Sequence, residues 1–276
     1  MIATIQHYWR VTIVNIRIHL LTILEYPASI AGWALSNPIQ FVVGFATIQF
    51  VVARFGTING WGYEQLAFLY GIAVISHALS MIFFVQGWFM GYYVIEGDFD
   101  RYLLRPMSVL YQFFFNNFNI IGITDLIPGI CVFTYGCVKV GFHWSILAVF
   151  ELLALIIGAT LIRGGIYMML GTLSFWTKST NEFSGFTQEF FDKTTMYPLT
   201  MYPRALQFIL TFLIPIAWVS FYPAGAMLHM DGGAPALDVS FFGAMPFVTL
   251  GIGIVVMVVA SLFFKVGLRG YESAGH

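Results

Sequence analysis

From Pro27 to Val52 the chain carries not one charged side chain, and that single fact limits what it can fold into. Crossing about 30 Å of hydrocarbon takes roughly 20 consecutive apolar residues, so this stretch is long enough for a tilted span. The whole chain repeats the pattern: 59% hydrophobic residues, 18% aromatic and only 9% charged, with a mean hydropathy of +0.83. Such values lie far from soluble-domain norms. The expected fold class is therefore an all-α integral membrane protein, a single domain over 1–276 with six transmembrane helices and no sizeable soluble part.

The segment 1–25 reads differently. Trp9, Ile13, Ile16, Leu20 and Leu24 follow helical spacing while Arg10 and Arg17 lie on another face, the pattern of a helix lying on the membrane surface. A cleavable leader fits poorly, because no basic, apolar, small-residue order is present. The first span follows, with Asn37-Pro38 as a kink site where proline removes a backbone donor. The second runs from about Tyr63 to Met90 and carries Ala67-x-x-x-Gly71, Ser76-x-x-x-Ser80 and Gly87-x-x-x-Gly91, small residues that let helices approach closely in lipid.

Spans three and four are expected at about Tyr111–Val138 and Trp144–Trp176, joined by a short external turn with Lys139 and His143. The segment 181–197 has helical length but is polar for a span, with Glu182, Gln188, Glu189, Asp192 and Lys193. It requires a water-filled or protein-lined setting. Prolines 203, 215 and 223 then interrupt the apolar stretch, so no uninterrupted helix fits there, and within 198–230 two short helices dipping into the membrane and returning would fit, a form tolerated at depth only under protein or water cover. The last span is expected at about Phe241–Phe264.

Basic residues set the orientation. Arg10, Arg17, Arg101, Arg105, Lys178, Lys265 and Arg269 fall on one side when both ends lie together, against Arg54, Lys139, Lys193 and Arg204 on the other. Both termini are thus expected in the cytoplasm. A second arrangement makes Asn181–Lys193 a cytoplasmic surface helix and Arg204–Met230 the fifth span, and charge placement alone mildly favours it.

The charged run Glu96-Gly97-Asp98-Phe99-Asp100-Arg101-Tyr102-Leu103-Leu104-Arg105-Pro106 stands between two apolar segments. Together with later motifs it resembles the permease subunits of ATP-binding-cassette exporters of the type 2 membrane-domain class. The likeness rests on Gly97, Phe99, Asp100, Leu104, Arg105 and Pro106 in the loop, then on Tyr202-Pro203, Arg204, Pro215 and Tyr222-Pro223-Ala224. The tail Gly267-Leu268 with Tyr271-x-Ser273-Ala274-Gly275 adds to it. The resemblance implies six membrane helices, an N-terminal interfacial helix and an external re-entrant hairpin before the last helix. It also implies two permeases, identical or related, working with two ABC ATP-binding subunits in the plasma (inner) membrane of a prokaryote.

The chain itself has no Gly-x-x-x-x-Gly-Lys-Ser/Thr loop for phosphates, so ATP and magnesium belong to the partner ATPase and no cofactor is expected here. Segment 91–108 is the expected cytoplasmic coupling loop. In it Phe99, Tyr102, Leu103 and Leu104 would fill a groove on the ATPase, while Asp98, Asp100, Arg101 and Arg105 orient it.

The expected translocation path includes Asp125, Arg163, Glu182, Glu189 and Asp192. Asp125 and Arg163 are placed near the centres of spans three and four, where an unpaired charge is costly, so an Asp125–Arg163 ion pair is expected. A Glu189–Lys193 pair fits a helical four-residue step. Glu182, Glu189 and Asp192 with neighbouring aromatics would favour cationic or amphipathic, drug-like or lipid-like compounds. His77 reads as a neutral packed side chain.

Other classes find less support. No His, Cys or carboxylate cluster has metal spacing, and Cys131 and Cys137 read as small packed thiols. Net charge of −1 gives no sign of nucleic acid. An ion-coupled secondary transporter would use intramembrane carboxylates such as Asp125 but would show repeated halves or paired broken helices. An intramembrane hydrolase would need Gly-x-Ser-x-Gly or His-Glu-x-x-His, both lacking.

Overall fold

The computed structural model describes residues 10–18, 21, 25, 27–115, 119, 122–178, 181–230 and 244–272, except the side chains of 27–30, 33, 34, 37, 115 and 181–184. Trp9, Leu20, Leu24, residues 198–230's neighbour turn at 231–243, the Glu182 side chain and the tail from Ser273 lie outside that set. Every regular element described is helical, apart from one isolated bridge between Ile58 and Trp61. The elements are α1 (10–18), α2 (Pro27–Phe55), α3 (Tyr63–Phe84), α4 (Gln86–Ile95), α5 (Asp100–Leu103), α6 (Gly122–Val140) and α7 (Ile146–Thr172). They continue with α8 (Ser174–Thr177), α9 (Asn181–Met196), α10 (Arg204–Phe208), α11 (Phe221–Met227) and α12 (Met245–Arg269).

Among the described residues five helical stretches are long and apolar enough to cross a membrane, Pro38–Phe55, Tyr63–Ile95, Gly122–Val140, Ile146–Thr177 and Met245–Arg269, or six if the bent pair Arg204–Leu213 and Ile216–Met227 is one span. Leu35, Phe50, Val138, Val255 and Val266 all point outward. A chain that turns its large apolar side chains to its surroundings along whole helices is solvated by hydrocarbon.

Helix contact in such a setting depends on close backbone approach, because lipid tails are as apolar as leucine. Two seams show it. Along α3 and α6 a Cβ at Gly136 would stand 2.5 Å from the Phe68 nitrogen, and one at Gly71 2.5 Å from the Phe133 Cα. Along α7 and α12 a Cβ at Gly253 would stand 2.5 Å from the Gly158 carbonyl oxygen. The small residues of the second span also serve as expected: a Cβ at Gly87 would strike the Tyr167 carbonyl at 2.7 Å, and Ser80 Oγ donates to the Thr160 carbonyl at 3.3 Å.

Span three departs from expectation. The described α-helix is Gly122–Val140, a π turn covers Tyr111–Phe115, and Asn119 between them is not helical. The Asn119 N–H bonds the Ile82 carbonyl at 3.1 Å, which sets the start of α6 halfway along Tyr63–Ile95. Asp125 is thus in a helical first turn at mid-bundle depth, where the N-terminal dipole favours a carboxylate.

Helix α9 packs one face into the bundle and leaves the other exposed. Phe191 is fully buried and meets Tyr167 of α7 with ring centroids 5.9 Å apart. The following pair, Arg204–Leu213 and Ile216–Met227, is bent by 77°. Its two ends meet the same α2–α3 connection: Asn59 Nδ2 donates to the Thr200 carbonyl at 3.0 Å, and Trp61 packs on Phe221 at 5.6 Å. Both stretches of the pair thus approach that connection, and the bend is that of a broken span or a re-entrant pair. Its broken backbone is satisfied locally: Trp218 Nε1 donates to the Thr211 carbonyl at 3.2 Å, and the Thr211 and Tyr222 hydroxyls pair at 3.0 Å, which meets the need for internal partners.

If the α7–α12 seam depends on glycine, Gly253→Val lowers stability by about 1–3 kcal/mol through overpacking. Gly251→Ala, where nothing lies within 4 Å, leaves the thermal midpoint unchanged or slightly raised. Thermal unfolding of the detergent-solubilised chain measures both.

Candidate coupling loop and buried charge cluster

Two groups of residues can carry function, one at an end of the bundle and one in its middle. At the end, the helix α4 stops at Ile95, and Gly97 takes a left-handed φ of 73°, a turn for which glycine is suited. The chain then folds back, with the Phe99 N–H bonded to the Tyr93 carbonyl at 2.9 Å. Short α5 follows.

Phe99 and Tyr102, expected to meet a partner, are buried within the chain's own contacts. The Phe99 ring meets Phe175 at 5.0 Å, Tyr271 at 5.2 Å and Phe113 at 5.5 Å. Edge-to-face aromatic contacts of this kind add about 0.5–1.5 kcal/mol per pair beyond burial. Tyr271 donates to Asp100 Oδ1 at 2.8 Å; burial first, and then that carboxylate, push the Tyr271 phenol above its usual pKa. The loop is thereby fastened to the ends of α8 and α12.

What remains outward is Leu103, Leu104, at 87% exposure, Arg101 and Arg105. Arg101 lies 3.7 Å from Asp98 across an exposed three-residue step, a pair of small energetic weight. Residues 10–18 join the same end, the Thr12 and Tyr111 hydroxyls lying 2.7 Å apart.

In the middle, Arg163 of α7 has no exposed surface. Its partner is Asp192 of α9, not Asp125: Arg163 Nη1 donates to Asp192 Oδ1 at 2.7 Å. The expected Asp125–Arg163 pair is corrected accordingly. The same Nη1 stands 3.1 Å from His77 Nδ1 and 3.4 Å from the Tyr167 hydroxyl, and Phe191 covers the guanidinium with its ring centroid 4.9 Å away. Asp125 instead faces the other side of the imidazole, its Oδ2 3.8 Å from His77 Nε2. His77, read from sequence as simple packing, is the link between the two carboxyl groups.

The outer carboxylates are disposed otherwise. Glu189 receives Lys193 Nζ at 2.6 Å on an exposed face, the expected helical pair. Glu151 lines a cleft of about 470 Å³ with His143, His229 and Pro246 at the hairpin end. Among the described residues no group of three or more His, Cys, Asp or Glu is arranged to hold a metal ion. A groove of about 910 Å³ opens between α7, α9, α12 and the hairpin tip, lined by Ile166, Phe190, Phe191, Pro215, Trp218 and Val256 among others.

Two sets of substitutions test this geometry. Phe99→Ala, which removes a fully buried ring, destabilises by about 3–5 kcal/mol, whereas Leu104→Ala leaves the unfolding transition in place. Asp192→Asn strips a buried guanidinium of its counter-charge and costs about 3 kcal/mol, while Asp125→Asn costs less. Equal losses at the two aspartates in thermal unfolding would reverse the assigned pairing.

No curated protein matches the chain. The sequence profile of ABC-2 family transporter proteins does, over residues 39–275, a match that takes in the loop, the mid-bundle cluster, the hairpin and the last helix. On that match, and with a fold of bundled apolar helices behind it, this chain belongs to the ABC-2 family of transporter proteins.

Proposed function

We propose that the chain is the permease subunit of an ATP-driven exporter, powered by a separate ABC ATP-binding subunit and moving a hydrophobic or amphipathic small molecule. The observation that carries the reading is the loop 96–106. Its aromatic side chains are sunk into the ends of α8 and α12, while Leu103, Leu104 and Arg105 stand free. A docking element must be stiff toward the bundle and exposed toward its partner, so that a push on one is felt by the other. Leu104 supplies an apolar contact and Arg105 a directional one.

Basic residues support the orientation. In this arrangement Arg10, Arg17, Arg101, Arg105, Lys178, Lys265 and Arg269 fall on the side of the loop, whereas Arg54, Lys139, Lys193 and Arg204 fall on the other. The positive-inside tendency then favours a cytoplasmic loop and cytoplasmic termini in a prokaryotic plasma membrane. ATP and magnesium are handled by the ATPase partner, in an assembly of two permeases with two ATPases. For substrate, the pairings of Glu189 with Lys193 and of Asp192 with Arg163 leave those carboxylates already countered. That weakens the argument for a strictly cationic cargo and favours selection by apolar shape.

The buried carboxyls near His77 are also what an ion-coupled carrier would use. The two readings separate in proteoliposomes. With the ATPase co-purified, ATP drives export, and Leu104→Asp with Arg105→Glu lowers both ATPase recovery and transport at least tenfold while the protein stays folded. Export by the permease alone on an ion gradient would reject the proposal.

A further inference from the structure

Arg163 has two nitrogens, Nε and Nη2, that are buried and without a hydrogen-bond partner among the described residues, and Asp192 has one such oxygen, Oδ2. Leaving buried donors unmade is expensive in a bundle this apolar. Nε and Nη2 form one edge of the guanidinium, the edge suited to two parallel hydrogen bonds. The ring that covers this guanidinium, Phe191, is also a wall of the 910 Å³ apolar groove. Ile166, one helical turn beyond Arg163 on α7, lines the same groove. Phe191 is thus shared between the wall of a hydrocarbon-lined space and the surroundings of the guanidinium.

Resting on the exporter reading above, we infer that this groove and the Arg163–Asp192 pair together form a binding site for an amphipathic molecule with an uncharged polar head, of the alcohol or amide kind. The apolar body lies along α12 and the hairpin tip; the head passes Phe191 and meets Arg163 and Asp192. Charge and hydrogen-bond inventory choose the head. A quaternary cation offers no acceptor to Nε–H and Nη2–H. A carboxylate would join a cluster that already holds the carboxyl groups of Asp125 and Asp192 against one guanidinium, and like charges at low dielectric repel strongly. A hydroxyl or amide accepts from the guanidinium edge and donates to Asp192 Oδ2, so every open atom is met without adding charge.

The test uses the full chain in phosphatidylcholine nanodiscs and three photoreactive probes with one C16 body: a primary alcohol, a trimethylammonium and a carboxylate. Cross-linked peptides are read by mass spectrometry. The alcohol is expected to label peptides containing Phe186–Phe191 and Thr211–Trp218 about fivefold more than either charged probe, the value of one added net hydrogen bond. Val256→Trp, which fills the groove from α12 without touching the pair, reduces labelling by all three. Arg163→Met with Asp192→Met removes both charges together and erases the head preference while labelling persists. Equal labelling of the wild type by all three probes would mean the groove takes acyl chains alone and would overturn the inference, as would preference for the cation. Because the readout needs no nucleotide, loss of ATP-driven transport and loss of head selectivity are separate results.

Discussion

A guanidinium with no exposed surface, set among hydrocarbon-facing helices, governs the arrangement of this protein. Removing such a charge from water costs several kcal/mol even after relaxation, so the bundle has to bring it a carboxylate. It does so with Asp192, which pulls the polar helix α9 in against α3 and α7. The next segment, Arg204–Met227, follows as a pair of short helices bent by 77°. The groove beside Phe191 is the space left between that pair, α7 and α12.

Much of this was legible in the sequence. Charge-free stretches give the spans because hydrocarbon leaves few other solutions. The prolines at 203, 215 and 223 mark the broken pair because a missing N–H interrupts helical bonding. The polar composition of 181–197 required protein cover, and the Glu189–Lys193 pair followed from local spacing. These are local properties, read within a turn or a span.

What escaped depends on contacts between distant segments. Whether Arg163 meets Asp125 or Asp192 depends on the register of α6, and the Asn119–Ile82 bond goes with Asp125 lying across the imidazole instead. No signal in the run from Tyr111 to Val138 announces the π turn at Tyr111–Phe115 or the non-helical Asn119, since π turns carry no firm composition. The loop shows the same limit. Phe99 and Tyr102 sit among charges and look free, yet Phe113, Phe175 and Tyr271, drawn from three separate parts of the chain, enclose Phe99. His77 had one indication, a ring nitrogen available on each side in a span whose one charged residue, Glu64, stands at its start, but its neighbours belong to other helices.

Coupling and cargo selection both presuppose that α9 crosses the membrane, held by Asp192 to Arg163. Sided labelling tests this most directly: Leu104→Cys and Lys193→Cys, each in a chain with Cys131 and Cys137 replaced by alanine, are exposed to a membrane-impermeant maleimide in right-side-out and inverted vesicles. A crossing α9 predicts that the two positions react from opposite faces, position 104 from the cytoplasm and position 193 from outside. Reaction of both from the cytoplasmic face would make α9 a surface helix and contradict the account.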